Sequence, residues 1–218
     1  MVVVCWSPYP LVRDGKPCGQ GVRTGTMEHT ATSGMADRGF RAAMRHLPTA
    51  VAVLTVRTGA GPVGMTAGTV GSVSMDPELL SVCLRRDSRL TGAIADSGGF
   101  VVNLLQEHQT AIAQWFASAE RFGVRDEFRG IGWHPAPNGG HPVLTDVACV
   151  FECRMEAQVP NGDHLLAIGG VTACRVSPTA RPLLSYLGRF HRISGPADDP
   201  PVRGAPGPGA AHAGPSFS

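Results

Sequence analysis

The 218-residue sequence predicts a mainly β fold, an antiparallel barrel with a few peripheral helices. Three observations lead there. About seven apolar, β-branched runs are joined mostly by short Gly, Pro or Asn turns rather than by helical crossovers. From Val147 to Val159 the alternation is nearly perfect, and the turn Asn161-Gly-Asp-His164 returns the chain into a second long run. Only two or three stretches carry a helical period.

Met1 to about Met35 is rich in Gly, Thr and Ser, with Pro8, Pro10 and Pro17, and has no sustained period. Residues 1–36 are therefore expected to form a disordered extension, with Met27 and Met35 as alternative translation starts. Asp37 opens a helix pattern, with Phe40, Ala43, Met44 and Leu47 at i, i+3, i+4 and i+7, and Pro48 ends it. Thr49 to Val56 reads as a buried strand. Gly59-Ala-Gly-Pro-Val-Gly64 matches G-x-G-x-x-G. Pro62 lies inside it, however, and a strand-like stretch rather than a helix follows, so it is assigned to a hairpin turn.

Val63–Ser74 and Leu79–Leu84 are two further strands around a Met75-Asp-Pro-Glu turn. Ser88 caps a short helix over Arg89–Asp96, stopped by Ser97-Gly-Gly. Phe100–Leu105 is a strand, and Gln106–Ala117 a helix with Ile112, Trp115 and Phe116 on one face. Ser118–Pro142 is a long irregular excursion. In the strand Val147–Val159, Cys153, Met155, Ala157 and Val159 face one way and Glu152, Arg154, Glu156 and Gln158 the other. Leu165–Val176 pairs back onto it, and Pro182–Ile193 supplies a last strand-like piece. Residues 37–194 form the folded domain, and the Gly/Pro/Ala-rich residues 195–218 a disordered tail.

A hydrophobic content of 43% supports a real core. The formal charge of +2, with basic residues scattered, gives no electrostatic reason for a nucleic-acid or anionic-membrane partner. No apolar run reaches the roughly 18 residues of a spanning helix, and the N-terminus lacks the regions of a signal peptide. Six cysteines are too few for a secreted disulfide scaffold. Cys149 and Cys153 share one strand face without a further ligand, which assigns them to the core rather than to a metal. The expected location is cytoplasmic.

The chemistry concentrates between Gly64 and Ser88. Short side chains there let backbone N–H groups approach a flat or anionic ligand. Ser72 and Ser74 project from one side of a strand, and Arg85, Arg86 and Ser88 supply guanidinium and hydroxyl donors near a helix start. Residue types and spacing alone describe an anion site, with a solvent-facing serine pair as the alternative. His164 is either an ordinary turn histidine or one oriented by Asp163 and Asn161.

The ordered landmarks carry a resemblance. They are Phe40-Arg-Ala-Ala-Met44, Pro48-Thr-Ala-Val51, Gly64-Met-Thr-Ala67, Ser72-Val-Ser-Met-Asp-Pro77 and Arg86-Asp-Ser88. Phe100-Val-Val-Asn-Leu104, Asp126-Glu-Phe128, Gly140-His-Pro-Val-Leu144, Gly162-Asp-His164 and Pro182-Leu-Leu with Tyr186 follow. From about Phe40 to Ile193 the chain resembles the short-chain flavin reductase family. These are the reductase components of two-component flavin-dependent monooxygenases, on the FMN-binding split barrel.

The resemblance implies a homodimeric enzyme that transfers hydride from NADH or NADPH to FMN or FAD and supplies a monooxygenase with reduced flavin. The alternative on the same fold is a non-enzymatic flavin-binding electron carrier. By the same resemblance Thr66, Ala67, Gly68 and Thr69 belong to the flavin site, the first three against the isoalloxazine. Ser72, Ser74, Arg86 and Ser88 would hold the ribityl phosphate, Asn103 would sit at the groove edge, and His164 would reach the nicotinamide. Gly68, Ala50, Glu78 and Glu127 depart from the common family residues Asn, Gly, Pro and Arg. These departures touch flavin affinity and the choice between FMN and FAD, not a group that hydride transfer requires.

Overall fold

The computed structural model describes residues 35–195 apart from Phe122. The extension expected at 1–36 and the tail expected at 195–218 therefore lie, except for their inner ends, outside the described residues. The chain begins with helix α1 (Met35–Met44), then strands β1 (Thr49–Ala50), β2 (Ala52–Thr58), β3 (Gly61–Ala67), β4 (Val70–Met75) and β5 (Glu78–Arg85). Helix α2 (Arg89–Ser97), strand β6 (Gly99–Leu104) and helix α3 (Thr110–Ala117) follow. After a 3₁₀ turn at Ala119–Arg121 come β7 (Trp133–Pro135), β8 (Pro142–Leu144), β9 (Cys149–Asn161), β10 (His164–Val176), β11 (Leu184–Tyr186) and β12 (Arg189–His191).

One seven-stranded antiparallel sheet runs in the order β3-β2-β6-β9-β10-β5-β4, beside small sheets β1-β11-β12 and β7-β8. β3 and β4 form its opposite edges, yet only Gly68 and Thr69 separate them in sequence. Such a link reaches on the order of 10 Å, so the sheet must curl until its edges meet. No ladder joins β3 to β4 among the described strands. The result is a barrel with a split.

The interior confirms the curl. Leu54, Val63, Val82, Phe100, Cys153 and Ala167 come from six different strands and share one buried cluster. Leu90, Ala93 and Ile94 of α2 join that cluster and plug the barrel. Each large side chain buried this way contributes about 1.5–3 kcal/mol. Outside the barrel, Val53 of β2 packs with Phe116 of α3, Leu144 and Leu183. β2 is thus covered on both faces, which is why Ala52, Val53 and Leu54 are consecutive apolar residues. Gly64 is required by this layer, since a Cβ there would lie 2.6 Å from the Phe116 ring.

Several expectations are corrected. The run Val63–Ser74 is two strands, because the chain passes from one barrel edge to the other at Gly68–Thr69. Thr49–Val56 breaks at Val51, with β1 pairing into the small sheet. The helix expected from Gln106 starts at Thr110, and Gln109 accepts the Gln106 N–H through its side chain at 2.9 Å. Glu152, on the face it shares with Arg154, Glu156 and Gln158, is 3% exposed. The β7–β8 hairpin lies over that face, packing its Ala136 and Val143 onto Val101 of β6 and Val150 of β9.

The α2 boundaries agree closely with expectation, including the Ser88 cap and Gly98 in the left-handed conformation at φ 69°. Gly59-Ala60 forms the β2–β3 turn, and β9–β10 is the long hairpin that the alternation predicts.

Candidate functional site

Where β5 ends and α2 begins, residues Arg85–Ser88 turn a corner against the β9–β10 hairpin. The Ser88 hydroxyl oxygen accepts the Thr91 N–H at 3.1 Å, and Thr91 Oγ1 donates to the Arg85 carbonyl at 2.7 Å. The Arg86 N–H donates to the Asp163 carbonyl at 3.1 Å. His164 pairs with Arg85 across the β5–β10 ladder. Two sequence segments almost eighty residues apart are thereby fixed to one another by main-chain bonds.

Beside this corner opens a cleft of about 470 Å³, floored by Val63–Met65 of β3 and walled by Arg85, Asp87–Leu90 and Arg121. Arg85 donates to Asp87 through Nε and Nη2 at 3.0 and 2.9 Å. That bond holds the Asp87 carboxyl below its ordinary range and raises the Arg85 guanidinium. Asp163 Oδ1 lies 2.7 Å from His164 Nδ1, a contact that holds the Asp163 carboxyl low. Arg121 is buried, which pushes its pKa down, while Glu127 opposes the shift.

The structure gathers Arg85, Arg86, Ser88 and His164 at the β5–α2 corner, but of these only Arg85 and Ser88 line the cleft, and the Arg86 guanidinium donates to the Gly162 carbonyl. The structure does not bring Ser72 and Ser74 to them. β4 runs antiparallel to β5, with Ser72 opposite Leu80 and Ser74 opposite Leu79. At about 3.3 Å per strand residue, Leu80 lies roughly 16 Å from Arg85 along β5. One phosphate group cannot touch both sets, so the four-residue phosphate cradle is corrected to two separate places. Ser72 and Ser74 border a second groove of about 290 Å³ whose other walls include Leu79, Phe151 and Val171.

Thr66 and Ala67 lie on β3 beside the cleft floor, but their side chains are engaged elsewhere. Thr66 Oγ1 donates to the Ala113 carbonyl at 2.8 Å, and Ala67 belongs to the barrel core. Their backbone is what a flat ring could lie against. Gly68 adjoins Thr49, whose Oγ1 would lie 2.9 Å from an added Cβ. Thr69 extends the β4–β5 pairing, its Oγ1 donating to the Cys83 carbonyl at 3.1 Å and accepting the Cys83 N–H at 3.2 Å.

Asn103 is fully buried, not at a groove edge. Its Nδ2 donates to the Val53 carbonyl at 3.1 Å and to Thr55 Oγ1 at 3.0 Å, and its Oδ1 accepts the Leu144 N–H at 2.8 Å. These three bonds join β2, β6 and β8.

Three cleft residues escaped sequence reasoning: Arg89, Arg121 and Asp87. Arg121 comes from the long excursion, and its Nη1 donates to the Gly64 carbonyl at 2.8 Å. Arg89 and Arg121 both pair with the buried Glu127. Asp87 and Arg85 both stand in the stretch singled out from the sequence, but their pairing through Nε and Nη2 was not read there.

As a donor set, guanidiniums and a capping hydroxyl suit a phosphoryl group. The β-strand floor at Val63–Met65 gives a flat ring an extended surface to lie against. The cleft therefore fits a flavin nucleotide. Among the described residues, no group of three or more His, Cys, Asp and Glu side chains is placed to hold a metal ion.

Residues 44–194 match the family model described as flavin reductase like domain. The chain is 38% identical to the NADH-dependent FMN reductase of Streptomyces nodosus subsp. asukaensis, over 72% of this chain and 85% of that protein. It is 33% identical to the reductase subunit of a flavin-dependent monooxygenase of Rhodococcus jostii, over 75% of this chain and 81% of that one. Among solved structures, the NADH:FAD oxidoreductase of Streptomyces globisporus superposes with a TM-score of 0.70 at 28% identity, covering 75% of this chain and 96% of that one.

Proposed function

The chain belongs to the flavin reductase like family, and on that premise we propose that it is an NAD(P)H:flavin oxidoreductase, supplying reduced FMN or FAD to a flavin-dependent monooxygenase. The observation that carries the reading is the match over residues 44–194, together with a cleft whose donors suit a flavin phosphate.

The bound nucleotides supply the chemistry, a hydride passing from the reduced nicotinamide to the flavin ring. The protein's part is binding and alignment. Arg86 and Ser88 hold the phosphoryl end at the β5–α2 corner. The backbone of Gly64–Thr69 supports the ring. His164, braced by Asp163 at 2.7 Å, meets the coenzyme from the β9–β10 hairpin. No side chain has to take or give a proton for the transfer itself.

The active form in this reading is a homodimer. Phe40, Met44 and Leu47 lie on one face of α1 and its exit and are 66%, 47% and 55% exposed. An apolar row of that kind suits a partner surface. Static light scattering on the purified chain tests this, and a monomer at micromolar concentration rejects it. No described helix is long and apolar enough to cross a membrane, and the reaction's nucleotides are intracellular, which supports a cytoplasmic location.

The deciding experiment is NADH and NADPH oxidation with added FMN or FAD. Saturable turnover in flavin and coenzyme is expected. Tight flavin binding without coenzyme consumption would instead identify an electron carrier.

A further inference from the structure

Glu127 is 5% exposed and sits between two guanidiniums at the wall of the cleft. Its Oε1 accepts from Arg89 Nη2, and its Oε2 lies 3.5 Å from Arg121 Nη1. A buried carboxylate is held only where cations accompany it, and here two cations share one.

The two arginines are placed for different work. The Arg121 side chain is 6% exposed and is braced inward, with Nε on the Ser118 carbonyl at 3.1 Å and Nη1 on the Gly64 carbonyl at 2.8 Å. It stiffens the cleft floor. The Arg89 side chain is 50% exposed and opens α2 directly after Ser88, on the cleft wall. A guanidinium has five N–H donors in a fixed fork, so it can serve a carboxylate and a phosphoryl oxygen together. A long arginine side chain otherwise loses much rotamer freedom when it binds. An arginine already tethered to a buried carboxylate loses less.

We propose that Arg89 is a phosphoryl-binding residue of the flavin site and that Glu127 positions it. The ligand group is the phosphoryl next to the ribityl chain, which FMN and FAD share and riboflavin lacks. The inference rests on the reading of the cleft as the flavin site.

Comparing FMN with riboflavin separates phosphate recognition from fold and ring binding. Dissociation constants for both flavins are measured by fluorescence quenching on the full chain, on Arg89→Ala and on Glu127→Gln. The native chain is expected to prefer FMN. Arg89→Ala should weaken FMN about ten-fold, the scale of one lost charge-assisted bond, and leave riboflavin within two-fold. Glu127→Gln should shift the same ratio by several-fold in the same direction.

Arg89 is half-exposed, so its variant keeps the test open if Glu127→Gln folds poorly. An unchanged FMN-to-riboflavin ratio in Arg89→Ala, or equal losses for both ligands, overturns the assignment while the flavin reading stands. Failure of the native chain to bind either flavin overturns both.

Discussion

His164 stands directly opposite Arg85 in the β5–β10 ladder, with its Nδ1 2.7 Å from Oδ1 of Asp163. The Asp163 carboxyl is held low by that contact, so it is an anion at neutral pH. An anion on Nδ1 assigns the proton to that nitrogen and turns Nε2 toward whatever approaches the hairpin. The predicted consequence is that His164→Ala raises the KM for NAD(P)H about ten-fold, or about 1.4 kcal/mol, and the flavin KM much less. Asp163→Asn should give a weaker effect of the same kind, since its amide oxygen still accepts. Steady-state kinetics with each substrate varied in turn checks this, and equal rises in both KM values would return His164 to a turn residue.

Ser72 and Ser74 lie roughly 16 Å from Arg85 along β5 by strand rise, opposite Leu80 and Leu79. Phosphate recognition is therefore expected to survive their loss. The double variant Ser72→Ala/Ser74→Ala should leave the preference for FMN over riboflavin within two-fold, whatever happens to the absolute affinities. Loss of that preference would place the phosphate at the serines and empty the β5–α2 corner of its role.

That separation is implicit in the hairpin pattern itself. Folding β4 onto β5 about the Asp76–Pro77 turn puts Val70 opposite Val82, so Arg86 must fall beyond Thr69, near the end of β3. Proximity in sequence suggested one cluster, and strand register divides it. The Ser88 cap and the β9–β10 hairpin were legible because local geometry makes them. Glu127 could not be placed by local pattern: its partner Arg89 is 38 residues away, and the excursion that holds Glu127 has no period. For Glu152, alternation reports which residues share a face. It does not report whether a second layer covers that face, as β7–β8 does here.

Asn103 offered a subtler signal, a lone amide inside the apolar run Phe-Val-Val-Asn-Leu. Buried amides in such runs are held by hydrogen bonds, and Asn103 makes three, to Val53, Thr55 and Leu144. Asn103→Ala should cost about 3 kcal/mol, since it leaves the Leu144 N–H and the Val53 carbonyl without that partner in the interior. Urea unfolding should show the loss, with flavin KM nearly unchanged in the folded fraction. A raised flavin KM at unaltered stability would move Asn103 back to the ligand.

His141 is 7% exposed, and its Nδ1 accepts the Arg57 N–H at 3.1 Å. In the neutral ring the proton is then on Nε2, and adding a second at Nδ1 would break the bond to β2. Burial pushes the His141 pKa down, with Glu152 opposing to a smaller degree. The unfolded chain therefore takes up this proton first as pH falls. The stabilising contribution is complete above the ordinary histidine value of about 6.5. It is lost progressively as pH drops through that value toward the lowered one in the fold. Thermal unfolding should show Tm falling below about pH 6.5, each kcal/mol of loss appearing as roughly 2–4 °C for a chain of this size. In His141→Gln, whose amide oxygen can still accept the Arg57 N–H, the slope over the same range should be shallower. An identical slope in both proteins would mean that another group carries the pH dependence and that His141 is protonated in the fold at little cost.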